Sequence, residues 1–145
     1  MKKISKPLQG IRVLDLGHVL AMPTCTMQLA DLGAEVIKIE RPGTGDDSRY
    51  FGPFVHGESA YFMSINRNKK SMTLDLKQEK GKKIFKELVK KADVVTENFR
   101  PDTMEKLGLG YKDLKKINSR IIYASICGFG HNSIDRQRPG YDIIA

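Results

Sequence analysis

Cysteines, long apolar runs and acidic residues are all scarce in this 145-residue chain. Cys25 and Cys127 lie far apart, outside any C-x-x-C or Cys/His spacing, so neither supports a zinc site. Each is expected to be a small buried residue rather than a nucleophile, because a reactive thiol needs an electropositive, accessible setting. No apolar run approaches the roughly 20 residues that cross a bilayer. The opening "MKKISKPLQG" has lysines but no apolar stretch after them, so it does not read as a secretory signal, and the cytoplasm is the expected location. Acids number 17 against 25 lysines and arginines, a net charge of +8 with a pI near 9.5. That balance admits polyanionic partners as a class: nucleic acid, an anionic membrane or a phosphorylated small molecule.

Chemical motifs are missing too. There is no G-x-S-x-G elbow and no P-loop, so serine acyl hydrolysis and nucleoside triphosphate turnover lack their hardware. His18, His56 and His131 show no metal-ligand spacing. His18, in the loop after the first strand, is placed to hydrogen-bond a ligand; His56 and His131 read as ordinary loop residues.

What is present is a globular composition, 40% hydrophobic and 29% charged, at a length that suits one domain burying about two-thirds of its unfolded surface. Apolar periods alternate between strand-like and helix-like. "GIRVLDL" (10–16) reads as a first strand. "PTCTMQLADLGA" reads as a helix with Pro23 at its first helical position, Met27, Leu29, Ala30 and Leu32 as its stripe and Gly33 as its stop. "EVIKI" is a buried second strand and "SMTLDL" (71–76) a third. A lysine-rich helix over 79–92 carries Ile84, Phe85, Leu88, Val89 and Ala92 at helical spacing, which implies one core-facing stripe and a solvated lysine face. "DVVTENF" is a fourth strand, "PDTMEKLG" and "YKDLKKIN" are short helices, and "RIIYASICGFG" is a fifth strand entering a glycine-rich turn. The alternation implies an α/β fold: a Rossmann-like open parallel sheet with helices on both faces and ligands at the carboxyl ends of the strands.

A dinucleotide site would need G-x-G-x-x-G after the first strand, and "DLGHVLAMPT" has one glycine with Val19, Leu20 and Met22 in the approach. Glu40 stands where a ribose-binding acid would, yet without the glycines NAD or FAD is not expected. Arg41, followed by the turn "PGTGDD", is either a phosphate ligand or a surface arginine paired with a nearby acid.

The order of segments carries more than any one of them. "PLQGIRVLDLGHVLAMPTCTMQLADLGAEVIKIERPGTGDDSR", "YFMSINRNKKSMTLDLKQEKGKKIFKELVKKADVVTENFRPDTMEKLGLGY", "NSRIIYASICGFG" and "RPGYD" resemble, over nearly the whole chain, the N-terminal part of the family III coenzyme A transferases. That group includes formyl-CoA transferase, carnitine CoA-transferase and α-methylacyl-CoA racemase. The resemblance implies a Rossmann-like domain that binds coenzyme A, presented as an acyl-CoA with a carboxylic acid acceptor, in longer chains that form interlocked homodimers. It implies no metal, nucleic acid or membrane. By position, His18, Leu20 and Ala21 would lie beside the coenzyme, and Arg41 would meet its nucleotide phosphates. Leu74, Asp75, Leu76, Lys77, Asn98, Phe99 and Arg100 would contribute from the next loops. Lys106 would add a basic group near the phosphates, with Tyr141 and Asp142 flanking the thioester end.

The chemistry implied is attack of an aspartate on the acyl thioester, through a mixed anhydride, with coenzyme A thiolate and then the acceptor acid completing the exchange. That aspartate is expected beyond Ala145, leaving residues 1–145 as one coenzyme-binding unit that is silent alone. Tyr141, where racemases carry histidine, implies transfer rather than racemisation. Leu20, where formyl-CoA transferases carry glutamine, implies an acceptor with a more apolar body than oxalate or formate. A nucleic-acid module would instead need aromatic groups between clustered cations, and Phe62, Phe85 and Tyr123 fall in apolar runs or turns.

Overall fold

A computed structural model describes residues 6–140. Five short strands, β1 (Arg12–Asp15), β2 (Glu35–Glu40), β5 (Lys70–Thr73), β6 (Val94–Glu97) and β7 (Ile122–Ser125), form one sheet in the order β5-β2-β1-β6-β7. All four pairings are parallel, with Val13 opposite both Val36 and Val94, and Val95 opposite Tyr123. The central strands are apolar on both faces because both faces are covered. Val13 and Val36 pack against Ala30 and Ala34 on one side. Leu14, Leu16, Ile39 and Val95 meet Phe85, Val89, Met104 and Leu114 on the other.

The helices follow from the periods, with corrections. α1 (Ala21–Asp31) starts two residues ahead of Pro23, whose missing N–H falls in the first turn, where no intrahelical acceptor exists. Its buried residues are Met22, Pro23, Thr26 and Ala30; of the expected stripe Ala30 is buried, Leu29 packs half-buried against the same cluster, Met27 is half-buried and Leu32 is exposed. The cause is polar: Thr26 Oγ1 donates to the fully buried Asp15 carboxylate at 2.6 Å and turns that side of the helix inward. Cys25, expected to be buried, is therefore exposed. In α3 (Glu79–Val89), Phe85 and Val89 are buried and Ala92 packs just beyond the helix end. Ile84 lies off this stripe and is exposed.

Between β2 and β5, where the sequence suggests no regular element, the chain forms a 3-10 turn (Asp47–Tyr50), a hairpin of β3 (Phe54–Val55) and β4 (Glu58–Ser59), and α2 (Ala60–Asn66). The hairpin turns through His56 and Gly57, both at positive φ (51° and 84°), the pairing a two-residue turn requires. Ser59 caps α2 by accepting the Phe62 amide at 3.0 Å. β5 ends at Thr73, so Leu74 to Lys77 leave the sheet rather than extend it. α4 (Thr103–Lys106) and α5 (Tyr111–Ile117) complete the described order.

Candidate functional site

The sheet order reverses between β1 and β6, since β2 and β5 continue from β1 in one direction and β6 and β7 in the other. A crevice opens at the carboxyl ends of strands at such a reversal. Here Asn98, just after β6, ties the two sides together. Its Oδ1 accepts the His18 amide at 2.7 Å and its Nδ2 donates to the His18 carbonyl at 2.9 Å. A cleft lies on each side of this tie, and His18 and Phe99, with ring centroids 5.4 Å apart, line both.

The larger cleft, about 530 Å³, has an apolar floor of Leu16, Ile39, Leu74, Leu76, Phe99 and Leu107, with Arg41, Thr44, Asp47, Asp75 and Lys77 around it. Its Leu74–Lys77 wall is shaped by an Asp75 side chain that accepts the Lys77 amide at 2.9 Å. The same wall depends on α3: a Cβ on Gly81 would run into the Asp75 carbonyl oxygen, so only glycine permits that close approach. The smaller cleft, about 310 Å³, is lined by Val19, Leu20, Ala21, Asn98, Arg100, Pro101, Ile126, Cys127 and Arg138 among others.

The residues singled out from the sequence therefore divide. His18, Arg41, Leu74, Asp75, Leu76, Lys77 and Phe99 line the larger cleft; His18, Leu20, Ala21, Asn98, Phe99 and Arg100 line the smaller. Lys106, exposed at the end of α4, lines neither. Tyr141 and Asp142 lie outside the described residues. Leu16, Ile39, Thr44, Asp47, Thr103 and Leu107 join the larger cleft without having been foreseen. Leu16 and Ile39 close apolar strand runs and could have been read as floor residues. Thr103 and Leu107 arrive only through the packing of α4.

Electrostatics separate structural charges from available ones. Burial would raise the Glu40 carboxyl, but hydrogen bonds from Arg49, Ser71 and the Asp46 amide outweigh it and bring it down to about 2. Both Glu40 oxygens are thus committed inside the fold. Arg41 does pair with an acid, donating to Asp47 Oδ1 at 2.5 Å, yet both side chains are more than half exposed and border the cleft. Among the described residues Lys77, Arg100 and Lys106 have no carboxylate partner. Burial lowers the His18 imidazole below its ordinary 6.5; Asp46 opposes this, and Lys38 and Arg41 add to it, so the ring is neutral at neutral pH. Beside the smaller cleft, the buried Glu97 accepts Phe99 N–H at 2.7 Å and the hydroxyls of Ser125 and Tyr123. His131 Nε2 lies 2.8 Å from Ser125 Oγ, so this histidine is not a bystander of its loop. No group of three or more metal-ligating side chains occurs among the described residues, and no described helix is long and apolar enough to cross a membrane.

The fold is a doubly wound α/β sheet with two clefts at its strand ends, the larger with an apolar floor and with Arg41 and Lys77 at its border. The chain belongs to CoA-transferase family III, whose family model matches residues 8–145. It is 55% identical over 141 residues to a succinyl-CoA:glutarate CoA-transferase of Mus musculus, covering 97% of this chain and 32% of that protein. It is 52% identical to an acetyl-CoA:oxalate CoA-transferase of Acetobacter aceti, covering 95% of this chain and 36% of the relative. A CaiB/BaiF family protein from Brucella suis superposes with a TM-score of 0.90 at 46% identity, covering 96% of this chain and 38% of that one. The chain thus spans about a third of the length of the curated relatives it matches.

Proposed function

We propose that this chain is the coenzyme-holding part of an acyl-CoA:carboxylate CoA-transferase, with the larger cleft and the His18–Phe99 junction receiving coenzyme A. The observation that carries this reading is the apolar floor of the larger cleft, bordered by Arg41 and Lys77, with Arg100 in the wall of the adjoining cleft. Coenzyme A is a polyanion with an aromatic ring and a long, largely neutral arm; guanidinium and ammonium groups suit its phosphates and apolar walls the rest. The commitment of both Glu40 oxygens to internal partners supports a reading without a dinucleotide. The covalent carboxylate of the transfer is assigned to an aspartate beyond Ala145, so residues 1–145 bind and position while the acyl exchange uses a group outside them. In the whole protein the partners are an acyl-CoA, a carboxylic acid acceptor and a second copy in a homodimer, with no metal, nucleic acid or membrane required. Leu20, in the smaller cleft, favours an acceptor with an apolar body.

Titration calorimetry with coenzyme A tests the reading. A folded wild-type chain is expected to release heat, and Arg41→Ala to weaken binding about tenfold, the value of a charge-assisted contact. No heat from a demonstrably folded sample, or an Arg41→Ala variant that binds as well as wild type, overturns it. Acyl exchange by the 145-residue chain alone would overturn the assignment of the nucleophile.

A further inference from the structure

The segment Gly17–Val19 is held in an unusual manner. Its backbone groups are bonded not to the sheet but to side chains. Gly17 N–H donates to Asp15 Oδ1 at 2.8 Å, and the Gly17 carbonyl accepts Lys38 Nζ at 2.6 Å. Both His18 backbone groups bond to Asn98. Val19 N–H donates to Asp46 Oδ1 at 3.1 Å. Asp46 and Lys38 are themselves a buried ion pair, 2.8 Å apart, with almost no exposed side-chain surface. Asp46 is fixed further by the Ser48 amide and hydroxyl, at 2.9 and 2.8 Å. Val19, a β-branched residue, sits at a φ of 63°, in the left-handed region that such residues avoid.

Stability alone explains this poorly. A buried ion pair is commonly no better for stability than apolar residues of the same volume, because desolvation offsets the attraction. What apolar residues cannot do is hold a backbone carbonyl and a backbone amide, two residues apart, in fixed directions. Strained backbone of this type persists where its surroundings over-determine it, and it gathers at ligand sites. The segment so held places the His18 ring on the boundary of the two clefts.

We infer that Lys38, Asp46 and Asn98 are positioning residues that lock Gly17–Val19 in a strained conformation and thereby hold the His18 ring as a preformed wall between the two clefts. The inference rests on the coenzyme A reading for its ligand, but the locking itself does not. Lys38 and Asp46 line neither cleft and act only through the segment they grip. The lock removes the ordering cost that a mobile loop would impose on binding.

Amide hydrogen exchange of the wild-type chain gives the first test. The His18 and Val19 amides are expected to exchange as slowly as those of β1, although they lie in a loop; rapid exchange overturns the inference whatever the variants do. The second test uses Lys38→Met with Asp46→Asn, which removes both charges together and keeps the volume. The Gly17 tether is lost, while the carboxamide oxygen that Asp46→Asn introduces can still accept the Val19 amide. In this double variant the His18 ring is expected to titrate closer to its ordinary 6.5, by NMR, as it escapes burial. Its amide should exchange faster, and coenzyme A affinity should fall about tenfold, the scale at which a freed loop weakens a pre-organised site. Loss of the two charges by itself does not produce that rise, because Asp46, which raises the ring, acts on it more strongly than Lys38, which lowers it. If the double variant does not fold, Asn98→Leu replaces it, with the same His18 readouts. A folded variant with unchanged His18 titration and exchange overturns the positioning role. A wild-type chain that shows slow His18 exchange yet no heat with coenzyme A would leave the lock standing and remove the proposed function.

Discussion

Lys38 and Lys69, whose ammonium groups reach Asp46 and Asp15 by the strand tips, and Lys82 and Lys90, on α3 and at its end, all meet a carboxylate at 2.7 to 3.0 Å. Their surroundings differ. The first two side chains are 2% exposed, against Asp46 and Asp15 at 0%. The second two face Glu79 and Glu87, which are largely in water. At the tips each charge is also wired to backbone: Lys69 donates to the Pro23 carbonyl at 2.8 Å, and Lys38 to that of Gly17. The helix pairs are i,i+3 neighbours, each made by one hydrogen bond from lysine to glutamate. The same residue type thus builds a rigid site in one region and only a solvated, strongly charged face in the other. Desolvation is the difference: where water is excluded, an ion pair must be complete and aimed, and where water remains it is nearly dispensable.

Removing one partner at the tips gives the largest expected effect. Asp15→Ala leaves Lys69 buried without its carboxylate and orphans the Gly17 amide, and should cost about 3–5 kcal/mol in urea unfolding. Gly81→Ala comes next, and it locates what α3 contributes. The added methyl meets the Asp75 carbonyl, so a loss of about 1–3 kcal/mol is expected with a disturbed Leu74–Lys77 wall, although no charge changes.

The pH dependence should divide the two regions as well. His18, held below 6.5 by burial, contributes stability that is present above that value and lost as the pH falls through its folded value. Asp46, whose burial is outweighed by the Lys38 charge and its hydrogen bonds, and Glu40 both stand near 2, against ordinary values of 3.8 and 4.5. Their stabilisation is present above those ordinary values and is lost as the pH approaches 2. Urea midpoints are therefore expected to be flat above about pH 6.5, to fall slightly below it and steeply under about 4. Asp47→Asn, which frees the exposed Arg41 guanidinium, should tighten coenzyme A binding by roughly threefold, in keeping with a screened pair. Lys82→Ala and Lys90→Ala should not shift the melting temperature measurably. A clear loss from either would break the contrast.

Much of the fold was legible because the signals were local. Five apolar runs, each closed by a turn, marked the strands, and their alternation with helical stripes implied a parallel sheet. Where the reading failed, a polar group had overruled the apolar count. Thr26, bonded to Asp15, takes a buried place on α1 that the apolar count gave to Leu32, and Leu32 and Cys25 are left in solvent. The hairpin at Phe54–Ser59 went unseen because its strands are two residues long and its turn uses histidine. In the candidate site, residues of the loops after the strands were found, while Leu16 and Ile39 at the ends of strand runs were missed, as were Thr103 and Leu107, since nothing in "DTMEKLG" shows which cleft it closes. Glu97 and His131 went unnoticed as partners of Ser125 because Glu97 meets it only through the pairing of β6 with β7 and His131 only through the fold-back of the turn after β7.

By itself the sequence determined the five strands of the parallel sheet, the helices outside residues 41–69, the α/β class and the family, since each follows from short-range patterns or from their order along the chain. Only the tertiary structure decided which charges are committed and which are available. Glu40 and Asp46 look, as letters, much like Asp47 and Asp75. The first two are almost fully buried, enclosed by cations and amides of residues 38–49 and by the more distant Ser71 hydroxyl and Val19 amide, while the side chains of the other two stay open to solvent at the cleft. Water is excluded by packing across the whole sheet, and that exclusion, absent from any local pattern, sets what a carboxylate or a lysine does.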